Sequence, residues 1–369
     1  MFDEPPYAER HVRWCEGTGN QIMITFLLDA KSLSLDVNRT ILSVKNITKQ
    51  YQTTQSSGIT DISFDIIEGE IVAIIGESGS GKSTLLKSIY GLLTLDVGEV
   101  MFQDKRVLGP DEQLIPGHKG MKMVTQDFSL NIYAKVYDNI ASMLSNTDVK
   151  SKHEKTLEMM EHLHIAHLSA KRITELSGGE QQRVAIAKAL VSDTRMLLLD
   201  EPFSQVDALL KNQLRADLKR IATDTGVTVV LVSHDPADGL FLADKLLLMK
   251  DGQLLQQGEP RALYNNPEHL YTARLLGNAN VLSAADALTL GIDTAGKQLV
   301  FYPEWLEFDA GALQFTIKDV YYKGFYEELL LEANGLQIRG VQLTVGSGHK
   351  KNDQVLLNIG RYITANEIA

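Results

Sequence analysis

Cysteine is almost absent from this sequence. Cys15 stands alone, which excludes an intrachain disulfide and a cage of thiolate metal ligands and fits a reducing cytosol. Long apolar runs are missing too. A bilayer-spanning helix needs roughly 18–20 successive apolar residues, whereas the nearest candidates, residues 71–75, 196–199 and 246–249, have the length of buried strands. Any membrane role is expected to come through a partner chain. Nor is there an excess of basic charge: 36 Lys and Arg face 47 Asp and Glu, for a formal net charge of −11. A dedicated nucleic-acid binder normally shows a basic face, so no nucleic-acid partner is expected. Internal repeats and long low-complexity tracts are also lacking.

What is present suits two soluble domains. The 369 residues are 44% apolar and 22% charged, ordinary values for a globular protein. Residues 1–40 differ from the rest: residues 1–20 mix charges, Pro5-Pro6 and scattered aromatics without helical or strand period. The apolar stretch at residues 22–28 is too short and poorly flanked for a signal peptide. The plain expectation is a disordered or misassigned N-terminal extension; a tethering or regulatory tail is the other. Beyond it, strands are expected at residues 41–47, 62–67, 71–75, 196–199 and 227–232, with helices after residue 84, over about 139–172, from Ser177, and over 208–223. Alternating strands and helices imply a wound α/β core, and such sheets bind ligands at the carboxyl ends of their strands. From residue 299 onward short strands dominate. Two of them, 326–332 and 336–341, flank Asn334-Gly335, a hairpin signal. A small all-β domain, OB-like or another small barrel, is expected there.

The strongest motif is Gly76-Glu77-Ser78-Gly79-Ser80-Gly81-Lys82-Ser83-Thr84, which fits G-x-x-x-x-G-K-[ST] between a strand and a helix. Its glycines let backbone N–H groups turn toward phosphate oxygens, and the helix N-terminus adds its positive end. Lys82 supplies a charge for the β- and γ-phosphates, and the Ser83 hydroxyl suits Mg²⁺. Asp200 and Glu201 follow the strand at 196–199. Two acids in that position also serve to cap a following helix. Downstream of a phosphate loop they suit metal binding (Asp200) and orientation or deprotonation of a water (Glu201). Leu176-Ser177-Gly178-Gly179-Glu180-Gln181 opens a helix with Ser177 as N-cap and two uncovered glycines, either an ordinary capped helix or a second anion site.

In order and spacing, the phosphate loop, Gln126 after Met123-Val124, the run at 176–181, Leu198-Leu199-Asp200-Glu201-Pro202 and His234 resemble the nucleotide-binding subunits of ABC transporters. The resemblance covers about residues 41–277. It implies an α/β P-loop NTPase core with a helical subdomain at about 127–175, within a nucleotide-binding domain at 41–278, and a C-terminal TOBE-like regulatory domain at 279–369. It implies ATP and Mg²⁺ as ligands. Tyr51 would stack on adenine, and Gly76, Ser78, Gly79, Ser80, Gly81, Lys82, Ser83 and Thr84 would hold the phosphates. Ser83, Gln126 and Asp200 would serve the metal, and Glu201, His234 and Gln126 the hydrolysis. Ser177, Gly178 and Gly179 would close on the γ-phosphate of a second copy, with Asp207 in the loop crossing between copies. That loop reads Ser204-Gln205-Val206-Asp207 where the family usually has Ser-Ala-Leu-Asp.

Two further features stay open. Residues 130–140 resemble the groove that accepts a permease's coupling helix; unaided, they read equally as a surface loop. His162, His164 and His167 do not share one helix face, which disfavours a metal site. The C-terminal segment resembles the β-rich domain of importer ATPases for polyamines, ferric iron, sulfate or sugars, although the usual Arg-Pro-Glu element is Tyr302-Pro303-Glu304. With a short tail that resembles the ferric-iron and polyamine groups more than the longer sugar group, the resemblance implies an importer ATPase of the iron or polyamine class on the cytoplasmic side of the cell membrane. Its partners would be a second copy, integral-membrane permease subunits and, indirectly, a periplasmic or lipid-anchored solute-binding protein. An exporter ATPase and a non-transport ABC ATPase are the alternatives.

Overall fold

The computed structural model describes residues 39–51, 57–204, 206–343 and 348–365. Nearly all of the expected N-terminal extension, Cys15 and Gln205 therefore lie outside the described residues. The first strand, Thr40–Tyr51, starts where the sequence pattern turns regular.

The core is a six-stranded sheet in the order Gln253–Gly258, Lys245–Lys250, Ile71–Ile75, Thr228–Ser233, Met196–Asp200 and Met121–Val124. Its pairs are parallel except the first. Every residue of Ile71–Ile75 and of Thr228–Ser233 is buried, as unbroken β-branched runs require when both faces of a parallel sheet are covered. One face packs on the helix Lys82–Tyr90 through Leu85, Leu86 and Ile89. That layer is closed by an antiparallel sheet containing Ser57–Ile67, Thr40–Tyr51, Val97–Phe102 and Lys105–Arg106. The other face packs on the helices Gly178–Leu190 and Ala208–Thr225 through Val184, Leu214 and Leu218.

The expected helix over 139–172 is not continuous. It is divided into Val136–Ala141, Val149–His162 and two 3-10 turns, Ala166–Leu168 and Ile173–Glu175. Local chemistry explains the breaks. Asp148 caps a new helix by accepting the Ser151 N–H at 3.0 Å, and His164 ends it with a left-handed φ of 56°.

Among the described residues the C-terminal region is all-β apart from the short helix Ala284–Thr289 and the 3-10 turn Pro303–Trp305. One sheet joins Asn280–Leu282, Gln298–Phe301 and Ile363–Ala365; the other has the order Leu336–Leu343, Tyr326–Ala333, Leu306–Tyr322 and Gln354–Ile359. The Asn334-Gly335 hairpin forms as expected, both residues carrying positive φ (52° and 80°). Residues 313–317 form the middle of the 17-residue strand Leu306–Tyr322. It bends where Phe308 and Leu313 both pair with Leu357, a bulge that period-2 patterning does not reveal.

Aromatic contacts join this region to the core. Tyr302 is fully buried and stacks on Tyr264 at 4.4 Å, donating to the Tyr264 carbonyl at 2.8 Å, while the Tyr264 hydroxyl donates to Glu304. Burial raises both phenol pKa values, keeping them donors. Arg361 stacks 4.2 Å from the Trp305 ring and donates to the Asn265 side chain at 3.1 Å.

Candidate nucleotide site

The buried strand Ile71–Ile75 delivers the phosphate loop at its carboxyl end. Gly79 and Gly81 adopt φ of 84° and 95°, a conformation that costs a residue with a Cβ 1 kcal/mol or more, by order of magnitude. Gly81 caps the helix Lys82–Tyr90 without offering a side chain, so the first-turn N–H groups are left to an external anion. Lys82 is 5% exposed. Its Nζ donates to the carbonyls of Gly76 (2.8 Å) and Glu77 (2.7 Å). Burial pushes the Lys82 ammonium below its ordinary pKa, and Glu201, Asp200 and Glu77 offset this only in part. A bound polyphosphate would favour the charged ammonium further, so the site is electrostatically suited to an anion.

Two acid contacts meet this loop. Ser83 Oγ donates to Asp200 Oδ1 at 3.0 Å. Glu201 holds a left-handed φ of 49°, uncommon for a residue with a side chain, and its N–H donates to the Val232 carbonyl at 3.1 Å. Its Oε1 lies 3.3 Å from His234 Nδ1. Tyr51, Lys82, Thr84 and Glu201 share the walls of one open cleft of about 350 Å³, and the Tyr51 hydroxyl lies 3.5 Å from Thr84 Oγ1.

The other expected residues stand apart. Gln126 is exposed in the loop after Met121–Val124 and outside the walls of that cleft. Ser177 caps Gly178–Leu190, its hydroxyl donating to Glu180 at 2.8 Å while Glu180 also accepts the Ser177 N–H at 2.8 Å. The Glu180 N–H closes the box by donating to Ser177 Oγ at 3.4 Å, and the Glu180 carboxyl is held below its ordinary pKa, chiefly through the Ser177 N–H. Ser177 and Gly179 face a separate groove of about 310 Å³, shared with His167, Arg183 and Val206. Asp207 is exposed at the start of Ala208–Thr225.

Known proteins share this plan. The ABC transporter family model matches residues 59–204. The chain is 31% identical over 338 residues to the spermidine/putrescine import ATP-binding protein PotA of Mesoplasma florum, spanning 85% of this chain and 94% of that protein. The chain belongs to the ABC transporter ATP-binding family. It is also 37% identical over 250 residues to the Fe(3+) ions import ATP-binding protein FbpC of Haemophilus influenzae, spanning 67% of this chain and 71% of that one. Among solved structures it resembles cbiO1 from Clostridium perfringens, with a TM-score of 0.56 and 27% identity over 64% of this chain and 95% of that chain. It also resembles the cassette MJ0796 in a dimeric post-hydrolysis state with ADP and Pi, with a TM-score of 0.53 and 29% identity over 60% of this chain and 99% of that chain. The protein is thus an ABC-type transport ATPase subunit, with an α/β cassette followed by C-terminal β-sheets.

The cassette also contains a buried charge network that the motifs do not disclose. Lys211 and Arg215, one turn apart on Ala208–Thr225, reach the loop and helix that follow His234. Lys211 Nζ donates to Asp235 at 2.6 Å and Arg215 Nε to Asp238 at 2.8 Å. Asp238 is 2% exposed and also accepts from Ser233. Burial works to raise the Asp235 carboxyl, but Lys211 and the Ala237 N–H outweigh it and hold its pKa low. The helix after Asp207 is thereby tied to the loop carrying His234. The only sequence signal was the i, i+4 spacing of two cations and the acids just after the histidine. Near the signature run at residues 176–181, Arg183 pairs with Asp217 at 3.2 Å, and His164 lies 3.6 Å from the same carboxylate.

Proposed function

We propose that this chain binds and hydrolyses ATP to drive solute import through separate permease subunits, working as a pair of copies. One observation carries the reading: Lys82, Ser83 and Glu201 line one cleft, Ser83 bonded to Asp200 and Glu201 beside His234, whereas Ser177 and Gly179 open another groove of the same chain. Two copies facing head to tail would bring each signature to the other's cleft. Dimeric structures of the similar cassette MJ0796 support the pairing of two copies.

In this site Lys82 and the loop N–H groups hold the phosphates and Tyr51 offers a ring to the base. His234 holds the Glu201 carboxylate, and Glu201 takes the proton of the attacking water. The oxygen donors Ser83 and Asp200, 3.0 Å apart, fit the hard-ligand preference of Mg²⁺, with Gln126 as a further oxygen from the neighbouring loop. When bound, Mg²⁺ would neutralise charge on the β- and γ-phosphates.

Among the described residues no helix is long and apolar enough to cross a membrane. The transport path is therefore assigned to partner chains, with this subunit on the cytoplasmic face and fed indirectly by a solute-binding protein. Exposed Ile132, Tyr133 and Met143 suit docking of a permease segment near residues 130–140. The relatives named for spermidine/putrescine and ferric-iron import favour a cationic cargo, and the C-terminal β region is assigned a regulatory role.

The test is Glu201→Gln. ATP binding should persist and an ATP-dependent dimer should accumulate, while hydrolysis falls roughly 10²–10⁴-fold. Normal turnover by a monomer would refute the assignment.

A further inference from the structure

The peptide joining Gly76 to Glu77 lies between the strand ending at Ile75 and the helix beginning at Lys82. It has left the sheet and has not yet entered the helix, so neither ladder fixes its plane. Its carbonyl, on Gly76, accepts the Lys82 ammonium at 2.8 Å. Its N–H, on Glu77, donates at 3.1 Å to the hydroxyl of Tyr271, which in turn donates to the Met249 carbonyl at 3.2 Å. One peptide plane is thus held from both sides.

Tyr271 is well placed for this work. It lies in the helix Leu270–Gly277, beyond every motif that marks the cassette. The next residue, Thr272, is fully buried and donates to Gln256 Oε1 at 2.8 Å, fastening the helix to the edge strand Gln253–Gly258. Ala273 packs in one cluster with Val300 and Tyr302 of the C-terminal region. The Lys250 ammonium lies 5.5 Å from the Tyr271 ring. Burial raises the phenol pKa, so the hydroxyl keeps the proton it gives to Met249.

We infer that Tyr271 is a positioning residue for the phosphate loop, its hydroxyl fixing the peptide plane whose carbonyl holds Lys82. The inference rests on the proposed nucleotide site and adds a residue to it. A freely turning plane would let Lys82 and the start of the loop sample several arrangements, and ATP would have to select one of them.

Steady-state ATP hydrolysis by the full chain and its Tyr271→Phe variant tests this. Phenylalanine keeps the ring packing and removes only the hydroxyl. The KM for ATP should rise about fivefold, the scale of one hydrogen bond, with kcat falling less than about twofold. Glu77→Pro deletes the N–H on the other side of the bond. In that background Tyr271→Phe should raise KM by less than about 1.5-fold, since the coupling is already gone. An unchanged KM in the single variant, or a full fivefold rise in the Glu77→Pro background, overturns the inference. Lys82→Ala serves as control. If it binds ATP normally, the nucleotide-site reading itself falls; if it loses ATP while Tyr271→Phe does not, only the role of Tyr271 falls.

Discussion

The phosphate loop and the signature helix both begin with glycines at a helix N-terminus, yet they are finished differently. Gly81 leaves its helix without a side-chain cap, and the loop behind it is braced by Lys82 and Tyr271. Ser177, by contrast, caps its own helix and exchanges hydrogen bonds with Glu180. The first end is suited to an anion; the second is locally satisfied and exposed. An uncapped, buried, cation-bearing terminus can hold a polyphosphate by itself. A capped, exposed one can only complete a site held elsewhere. On the proposed function, the chain carries two unequal halves of different sites.

The largest effect is expected at the network that ties the helix after Asp207 to the loop carrying His234, on which the catalytic side of the contrast depends. Arg215→Met leaves Asp238 buried without its principal partner and should cost about 3 kcal/mol of folding stability. Urea unfolding reads this directly, and a loss under about 1 kcal/mol would show that Lys211 alone carries the network.

Lys82→Ala should weaken ATP binding roughly 10–100-fold, the scale of hydrogen bonds to charged groups, by ATP titration. The same variant sharpens the idea of unequal halves. Mixed with Ser177→Arg chains, it should regain hydrolysis, because one of the two head-to-tail sites then has an intact loop and an intact signature. No recovery on mixing would count against composite sites.

The smallest effect belongs to the signature cap. The folded pKa of Glu180 is depressed, so its contribution to stability is complete above the ordinary value of 4.5 and is lost as pH falls through the lower folded value. Glu180→Gln should flatten that acid limb and, the box being solvent-exposed, cost about 0.5 kcal/mol near neutral pH. Thermal melts between neutral and acid pH give both quantities; an unchanged acid slope would place the linkage on another carboxylate.

Much of the cassette was legible because its chemistry is local. Phosphate cradling demands glycines at fixed offsets from Lys82, and a buried parallel strand demands an unbroken apolar run such as residues 71–75. Less was legible elsewhere. The split of residues 139–172 is a local effect, the Asp148 cap and the left-handed His164, masked by a polar helical pattern. Tertiary causes hid the rest. The long strand Leu306–Tyr322 hides its bulge within an irregular pattern. The contact of Arg361 with Trp305 joins residues far apart in the chain.

By itself, then, the sequence determined the phosphate loop, the acids after the strand at 196–199, the histidine at 234 and the order in which they occur. Each of these is a short-range requirement of backbone conformation or charge. Only the tertiary structure decided that Ser83 meets Asp200, that Glu201 meets His234, and that Ser177 turns to a different groove. It alone brought Tyr271 across 194 positions to the Glu77 N–H. Hydrogen bonds and buried ion pairs join groups by distance in space, and sheet order, which sets those distances, is fixed by packing of the whole core.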